Sequence, residues 1–374
     1  MSGSSIRTYW QHRAIAREHR TAVSLHGHTL HSKEMLAIIP RTIREATFQS
    51  WNRKESPGHG RNLDVSRLWW TPPLSPRQAW LVEQEQIETK LGCRALISLT
   101  DHDSIEAPLL LRVLREGGET PVSVEWTAPY QSTFFHIGVH NLPPGRSREI
   151  MADLEEYTGN PQPRRLAELL ETLSGDPRTL IVLNHPLWDE KGIGKRAHAA
   201  VAENLIRRHR EHIHALELNG FRTQPENSRV EDLAAATGIP VISGGDRHGR
   251  EPSSNVNLTN ASTFEEFVDE IRRDRKSDVL LMPQQRDLPA VRLFRAVSDV
   301  LRDDPHHGRG WRRWHDRVFC RCDDGAVRPL SAVWGDGPAP EILSRLVGSI
   351  QLLDRALTNS RIKAALRWTY AEDK

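Results

Sequence analysis

The chain has few of the features that would place it in a membrane, outside the cell or on a highly charged polymer. No apolar run in its 374 residues reaches the roughly 18 that a membrane-spanning helix needs, and the N-terminus lacks the apolar core of a signal peptide. Three cysteines are too few for a disulfide framework. The formal charge is only +2, which gives no whole-chain attraction to nucleic acid. The sequence therefore predicts a soluble, cytoplasmic protein with reduced thiols and no membrane partner.

A recurring pattern does occupy the first 250 residues. Seven short apolar, strand-like runs end in a histidine, an aspartate, a glutamate or an asparagine. They are 22–28, 95–103, 122–125, 134–136, 180–186, 215–219 and 241–248. In a barrel or an open sheet of parallel strands, such ends meet at one mouth. The pattern therefore predicts a group of imidazole and carboxylate metal ligands at that mouth.

Helical patterns alternate with these runs. Ser75-Pro76 followed by an apolar stripe predicts a helix that ends near Gly92, because serine caps helices and proline suits their first position. Further helices are predicted for 149–157, 163–173, 197–210 and 226–237. A strand followed by a helix, repeated along the chain, is typical of an α/β fold with mostly parallel strands.

Two segments depart from this alternation. Residues 33–73 contain Trp51, Trp69 and Trp70, and we interpret them as an insertion at the mouth. The pattern after about residue 285 is mostly helical. We therefore predict an α/β domain over 1–285, with its insertion, and a mostly helical extension over 286–374.

The spacing of the polar residues favours metal binding over packing. His26 and His28 lie two residues apart in an extended run, so they share a face about 7 Å apart and both can reach one ion. Asp246 and His248 repeat this spacing. Glu125 closes a buried run, where a cation would remove the cost of desolvating its carboxylate. The alternatives are structural histidines and an arginine partner for Glu125.

Four motifs resemble, in order, those of the PHP (polymerase and histidinol phosphatase) superfamily of metal-dependent phosphoesterases. They are Leu25-His-Gly-His-Thr29 with Ser32, Leu99-Thr-Asp-His-Asp103, Asn184-His185-Pro186 and Gly245-Asp246-Arg-His248. The similarity spans about residues 20 to 250. It implies a distorted seven-stranded β/α barrel, similar to a TIM barrel, with two or three divalent ions at its mouth.

The resemblance also implies which residues hold the ions. The first ion would be bound by His26, His28, Glu125 and Asp246, the second by Glu125, His136 and His185, and the third by His102, His248 and one further ligand. Imidazole-rich mixed sites accept zinc, manganese or iron. Glu217 would either orient one of the ligands or form a core ion pair.

The further ligand of the third ion is where the chain departs from the family. The opening motif usually continues Ser-Asp-Gly, but here it reads Ser32-Lys33-Glu34. A protonated lysine cannot bind a cation. Glu34 is one substitute ligand and His31 is another, while Lys33 could instead contact a substrate phosphate.

The chemistry that the resemblance implies is hydrolysis of a phosphoester by water that the ions activate. Asp101 or His102 would assist proton transfer to the leaving oxygen, unless Asp101 only orients its neighbour. The predicted contacts to the substrate phosphate are Lys33, Arg222, Arg247 and Arg250. Lys191 and Lys195 lie on the loop after His185 and are further candidates.

Three functions are consistent with these residues. A phosphomonoesterase that acts on a small phosphorylated metabolite or nucleotide comes first, because the near-neutral charge does not favour a polymer. A nuclease on single-stranded nucleic acid is the second, since Trp51, Trp69, Trp70 and the segment Trp311-Arg-Arg-Trp314 could stack bases, unless they only pack the insertion and the tail against the barrel. The third is a catalytically degenerate, metal-binding regulatory or assembly subunit, which Lys33 keeps open.

Overall fold

The structure is a computed structural model, and it describes residues 3–12, 14–35, 67–114, 118–335 and 337–358. Trp51, in the predicted insertion, lies outside these residues. The chain divides into two compact units. The first contains Met1–Ser32 and Leu74–Arg292, and the second contains Lys33–Pro73 and Leu293–Lys374. The segment interpreted as an insertion thus belongs to the same unit as the C-terminal region.

The strands and helices alternate through most of the first unit. The strands are β1 Gly3–Thr8, β2 Thr21–Leu25, β3 Glu34–Met35, β4 Leu68–Trp70, β5 Arg94–Ser98, β6 Val122–Tyr130, β7 Thr133–Leu142, β8 Leu180–Leu183, β9 Ala215–Asn219, β10 Val241–Gly244, β11 Asn255–Thr259, β12 Lys276–Leu281, β13 Val318–Arg321 and β14 Val327–Pro329. The α-helices are α1 Pro76–Glu85, α2 Glu106–Arg112, α3 Ser147–Gly159, α4 Pro163–Gly175, α5 Lys195–His209, α6 Gln224–Thr237, α7 Phe264–Asp269, α8 Pro289–Val300, α9 Leu330–Val333 and α10 Glu341–Thr358.

Local sequence explains where the helices begin and end. Ser75 caps α1 in a reciprocal capping box with Gln78, and the helix continues through a π-helical turn to Gly92, which has a φ of 68°. Thr223 caps α6, and Gly238 ends it with a φ of 66°. These boundaries confirm the helices that the sequence predicts at both places.

The first unit has two five-stranded sheets. Their strand orders are β1-β12-β11-β2-β5 and β10-β9-β8-β7-β6. The prediction of mostly parallel strands is wrong, because β7 is antiparallel to β6 and β8, and β11 is antiparallel to β2 and β12. The β6–β7 pair is a hairpin with a tight turn at Gln131, which needs no helical crossover.

The predicted closed barrel is not confirmed. Within the described residues, the strand ladders form two separate sheets instead of one continuous ring. Two isolated parallel bridges do connect the two sheets. Gly27 after β2 pairs with Arg247 after β10, and His102 after β5 pairs with Glu125 in β6.

An apolar core surrounds the second of these sheets. All four residues of β8 are buried, and α4 covers the sheet with Leu166, Leu169 and Leu170. Each fully buried leucine stabilises the fold by about 1.5–3 kcal/mol. This core fixes the strands whose residues carry the polar cluster described below.

The second unit contains a four-stranded antiparallel sheet of order β14-β13-β4-β3. One face packs into a small core that includes Leu68, Trp70, Val318 and Cys320. The expectation of a mostly helical extension therefore missed a hairpin, β13–β14, which completes this sheet. In neither unit does a described helix have the length and apolar character that crossing a membrane requires.

Candidate metal centre

One carboxylate in the first unit lies among five imidazoles. Glu125 is completely buried, and its Oε2 is 3.0 Å from Nε2 of His26, 3.3 Å from Nε2 of His28 and 3.3 Å from Nδ1 of His102. Its Oε1 is 3.2 Å from Nε2 of His185 and 3.6 Å from Nδ1 of His136. Both oxygens of this carboxylate therefore lie close enough to several imidazole nitrogens for oxygen and nitrogen to bind the same ion.

A second carboxylate joins the same cluster from the end of β10. Asp246 Oδ1 is 3.5 Å from Nε2 of His26, 3.4 Å from Nε2 of His28 and 3.4 Å from Nδ1 of His248. The ring of His28 lies between the rings of His102 and His248, with centroid distances of 4.8 Å and 4.2 Å. The structure thus brings together residues that are far apart in the sequence.

The strands position these side chains in a way that differs in part from the prediction. His26 and His28 follow β2 directly, and Asp246 and His248 follow β10, as expected for strand ends. Glu125 and His136, in contrast, lie inside β6 and β7, at register positions opposite Gly138 and Thr127. The expectation that these two residues close their strands is wrong, because the apolar pattern continues into the hairpin.

Three cluster residues have strained backbones. The φ angles are 60° at His26, 27° at His185 and 50° at Asp246. Side chains other than glycine seldom adopt this left-handed region, and such outliers persist where the surrounding structure fixes them, commonly at functional sites.

A network of buried polar groups holds the cluster. Glu217 Oε1 accepts a hydrogen bond of 2.5 Å from His26 Nδ1, and its Oε2 accepts one of 2.8 Å from the His185 amide. Asn184 donates to Glu125 Oε1 at 2.9 Å, and Asn219 donates to Asp246 Oδ2 at 3.1 Å. Of the two roles predicted for Glu217, this geometry matches the orienting one.

A glycine makes room for Glu217. A Cβ atom at Gly244 would lie 1.6 Å from Glu217 Oε1, so any other residue at this position would displace the carboxylate. The small residue at the end of β10 is therefore required by the group that orients His26.

The charges of the cluster are strongly coupled. Burial alone would lower the pKa of His26, but Glu125, Glu217 and Asp246 raise it well above its usual range. Burial alone would raise the pKa of Glu125, but His26, His102 and His136 lower it well below its usual range. The carboxylate therefore stays ionised in a buried place and needs positive charge beside it.

The donor set fits divalent cations. His26 Nε2 and Glu125 Oε2 are buried and make no hydrogen bond with the described residues. Within the first unit, three groups offer ligand atoms within 4.8 Å of one another, and they are His26 with His28 and Asp246, His26 with Glu125 and His185, and His102 with Glu125 and His136. Neutral imidazoles and carboxylates are ligands for zinc, manganese and iron. Because Glu125 belongs to two groups, it could bridge two ions.

The structure gives two of the other predicted residues a role in the scaffold. Both oxygens of Asp101 accept hydrogen bonds from Thr29, so this carboxylate fixes the loop after β2. Arg247 is buried, and its guanidinium donates to Glu83 at 3.0 Å and to two backbone carbonyls. This placement differs from the predicted substrate contact, because Arg247 is held inside the protein. No pattern in the sequence indicates that Glu83 is its partner.

The remaining predicted contacts differ in position. Arg222 Nη2 is 3.7 Å from Asp246 Oδ2, and its guanidinium lies 3.7 Å from the ring centroid of Trp188. Arg250 is half-buried. Lys33 and Glu34 belong to the second unit, in which Lys33 is exposed and Glu34 pairs with Trp70 in strand register. Their roles at the cluster stay predictions.

Some neighbours of the cluster were not predicted. The rings of Phe134, Trp188 and Phe221 contact those of His136, His185 and His248, with centroid distances of 5.4 Å, 5.2 Å and 6.0 Å. These aromatic residues are all half-buried. Their proximity to the ligands in the sequence, two or three residues for Phe134 and Trp188, is the one signal that could have identified them.

Comparisons with known proteins do not identify a family for this chain, so its function must be inferred from the geometry of the site. No protein-family model and no curated protein matches the sequence. An amidohydrolase from Chromobacterium violaceum is similar in structure at 14% identity and a TM-score of 0.36, over 69% of this chain and 97% of that one. PsfC from Pseudomonas syringae is similar at 16% identity and a TM-score of 0.37, over 74% and 96%.

A candidate metal-dependent phosphoesterase from Bifidobacterium adolescentis is similar at 15% identity and a TM-score of 0.31, over 55% of this chain and 92% of that one. All three TM-scores are too low to support an argument about fold or activity. What the first unit does must follow from the buried clusters of histidine and carboxylate residues, which could hold metal ions.

Proposed function

We propose that this chain is a metal-dependent hydrolase of phosphoesters related to the PHP superfamily, and that it acts on phosphomonoesters. The observation that carries the proposal is the position of Glu125, whose two oxygens lie within 3.6 Å of nitrogens from five histidines. A structural core does not need so many titratable groups around one buried carboxylate.

Two or three ions would share these ligands. His26, His28, Glu125 and Asp246 would hold the first, and Glu125, His136 and His185 the second. His102 and His248 would contribute to a third. Zinc, manganese or iron ions, when bound, would activate a water for attack and neutralise the charge on the phosphoryl oxygens.

The protein's own groups would position the substrate and its protons. When only two ions are bound, His102, whose side chain is 13% exposed, would donate a proton to the leaving oxygen, since Asp101 is bonded to Thr29. Arg222 is 17% exposed and stacks on Trp188 beside Asp246, so it would contact the phosphate.

The aromatic neighbours narrow the class of substrate. Phe134, Trp188 and Phe221 each flank a different histidine of the cluster and are partly open to solvent. Rings in this position can stack on a planar leaving group. This supports a nucleotide among the small phosphorylated substrates.

The same proposal extends to the fold. The bridges Gly27–Arg247 and His102–Glu125 connect β2 to β10 and β5 to β6 beside residues of the cluster. They support a distorted barrel of seven strands, which are β2, β5, β6, β7, β8, β9 and β10. In such a barrel the cluster would occupy the mouth.

Metal analysis and phosphate release together test the function. Metal content is measured by mass spectrometry, and Mn²⁺-dependent phosphate release is measured with nucleoside monophosphates, sugar phosphates, dinucleotides and single-stranded DNA. We expect turnover of monoesters, with nucleotides preferred, and loss of both metal and activity in the double variant His26→Ala/His28→Ala. The exposed His306→Ala variant is the matched control.

Two outcomes would replace the proposal. Cleavage of dinucleotides or DNA without monoester turnover would favour the nuclease. Full metal occupancy with no turnover of any substrate would favour the regulatory subunit.

A further inference from the structure

The sheet of the second unit has two different faces. Its inward residues, such as Leu68, Val318 and Cys320, are buried in the core. Its other face carries Trp69 on β4 and Phe319 on β13, which are neighbours in strand register and half-buried. A sheet face that presents rings to solvent differs from a face that only closes a core.

The rings on this face form a connected group. Trp69 and Phe319 are nearly parallel, with an interplanar angle of 21° and a centroid distance of 6.0 Å. Trp311 meets Phe319 edge to face at 5.3 Å. Met35, 51% exposed, extends the group to β3 beside Trp69. These side chains, which we call the aromatic face, cover three adjacent strands and one loop.

Positive charge accompanies the aromatic face. Arg309 lies over Trp311, with its guanidinium 5.2 Å from the ring centroid, and Arg321 is exposed two residues after Phe319 on the same strand face. The nearby acidic residues Asp323 and Asp324 form ion pairs with Arg67 and Arg328. The acidic groups of the β13–β14 turn are thus already neutralised by other arginines.

The charge of the whole chain conceals a division between the units. In the sequence of the second unit, 21 Lys and Arg residues stand against 15 Asp and Glu, a formal charge of +6. In the first unit, 30 stand against 34, a formal charge of −4. The near-neutral total, which disfavoured a polymer in the sequence analysis, therefore does not apply to the second unit.

We propose that the aromatic face binds single-stranded nucleic acid. Bases would stack on Trp69 and Phe319, and Arg309 and Arg321 would contact phosphates. Partly exposed rings on neighbouring strands of a small sheet, flanked by arginines, can hold unpaired bases, whereas paired bases are not free to stack on protein rings. The occupant is therefore single-stranded, and this binding does not depend on the proposed hydrolysis.

Binding to labelled DNA in the presence of EDTA tests this inference apart from catalysis. The full chain is titrated into a fluorescein-labelled 12-nucleotide oligothymidine and into a 12-base-pair duplex, and anisotropy is recorded. We expect tighter binding to the single strand. The Trp69→Ala/Phe319→Ala variant should bind at least about thirtyfold more weakly, because it loses two stacking rings.

Two further variants separate binding from folding. Arg321→Glu changes an exposed residue, so it should fold normally and still weaken binding, with a less steep dependence on salt. Trp10→Ala in the first unit is the matched control, since Trp10 is a half-buried tryptophan that also has an arginine, Arg286, over its ring. It should bind like the original protein.

Three results would overturn the inference. One is equal or tighter binding to the duplex, and another is unchanged binding in both the double variant and Arg321→Glu. The third is a concentration-dependent dimer in sedimentation velocity that the double variant abolishes, without measurable DNA binding, since the aromatic face would then join two copies of the chain.

Discussion

The two units contain polar and aromatic residues arranged in opposite ways. In the first unit, buried imidazoles and carboxylates lie within hydrogen-bond or ligand distance of one another, and further groups such as Glu217 hold them in place. In the second unit, the rings of Trp69 and Phe319 are partly exposed and contact other aromatic rings. The first arrangement could hold metal ions, while the second leaves rings partly open to a flat partner.

The largest effect that separates the two regions is expected from Glu125→Gln. The amide removes the negative charge that lies among five histidines, so both groups of ligands that share Glu125 are lost. Activity and bound metal should fall by more than the ten- to hundredfold typical of residues that only orient a ligand. Phosphate release and metal content are measured, and DNA binding by the second unit should not change.

Glu217→Gln should cause a smaller loss of metal affinity than Glu125→Gln. It keeps the shape of a group that contacts His26 Nδ1 and removes only its charge, so the loss of metal affinity should stay within about ten- to hundredfold. Equal losses in Glu125→Gln and Glu217→Gln would contradict the central position of Glu125.

A second prediction concerns the scaffold of the first unit. Glu83→Gln should lower the free energy of unfolding, measured by urea titration, by about 3–5 kcal/mol, because it leaves the buried Arg247 without its partner charge. The matched control, Glu341→Gln, breaks an exposed pair with Arg345 and should cost less than about 1 kcal/mol. If both variants lower the free energy of unfolding by a similar amount, other groups must stabilise the charge of the buried Arg247.

Metal removal should have an intermediate effect that is confined to the first unit. An ion present at a hundred times its dissociation constant stabilises the fold that binds it by about 2.7 kcal/mol. Excess chelator should therefore lower the thermal midpoint of the original chain and leave that of His26→Ala/His28→Ala unchanged, as measured by scanning fluorimetry. A thermal midpoint that stays constant while the metal content falls to zero would contradict the prediction that bound metal stabilises the first unit.

The sequence predicted the metal cluster better than the aromatic face for a physical reason. His26 with His28, and Asp246 with His248, follow strands at a spacing that coordination to one ion favours. Stacking requires no fixed spacing, so Trp69 and Phe319, separated by 250 positions, become neighbours only through the pairing of β4 with β13.

The strand directions were harder to predict than the strand positions. Glu125 and His136 were expected at strand ends because the apolar runs before them are short, but the hairpin β6–β7 continues past both residues. A short apolar run can pair with either a parallel or an antiparallel neighbouring strand. The tight turn at Gln131 makes the pairing antiparallel, but it contains no glycine or asparagine that would predict a hairpin.

The last prediction concerns the buried imidazole of His140, whose pKa is lowered whereas that of His26 in the cluster is raised. Burial, together with the charge of His26, lowers the pKa of His140 to about 3, whereas the unfolded chain should titrate near 6.5. As the pH falls from about 6.5 towards 3, the unfolded state takes up a proton that the folded state excludes, so stability is lost by at most about 1.4 kcal/mol per pH unit. His140→Gln should reduce this slope in urea titrations between pH 4 and 6.5, even if it lowers stability overall by disturbing the hydrogen bond to Ser98. The exposed His12→Gln variant should leave the slope unchanged, and an equal slope in His140→Gln would mean that His140 is protonated in the folded chain and shares the positive charge of the cluster.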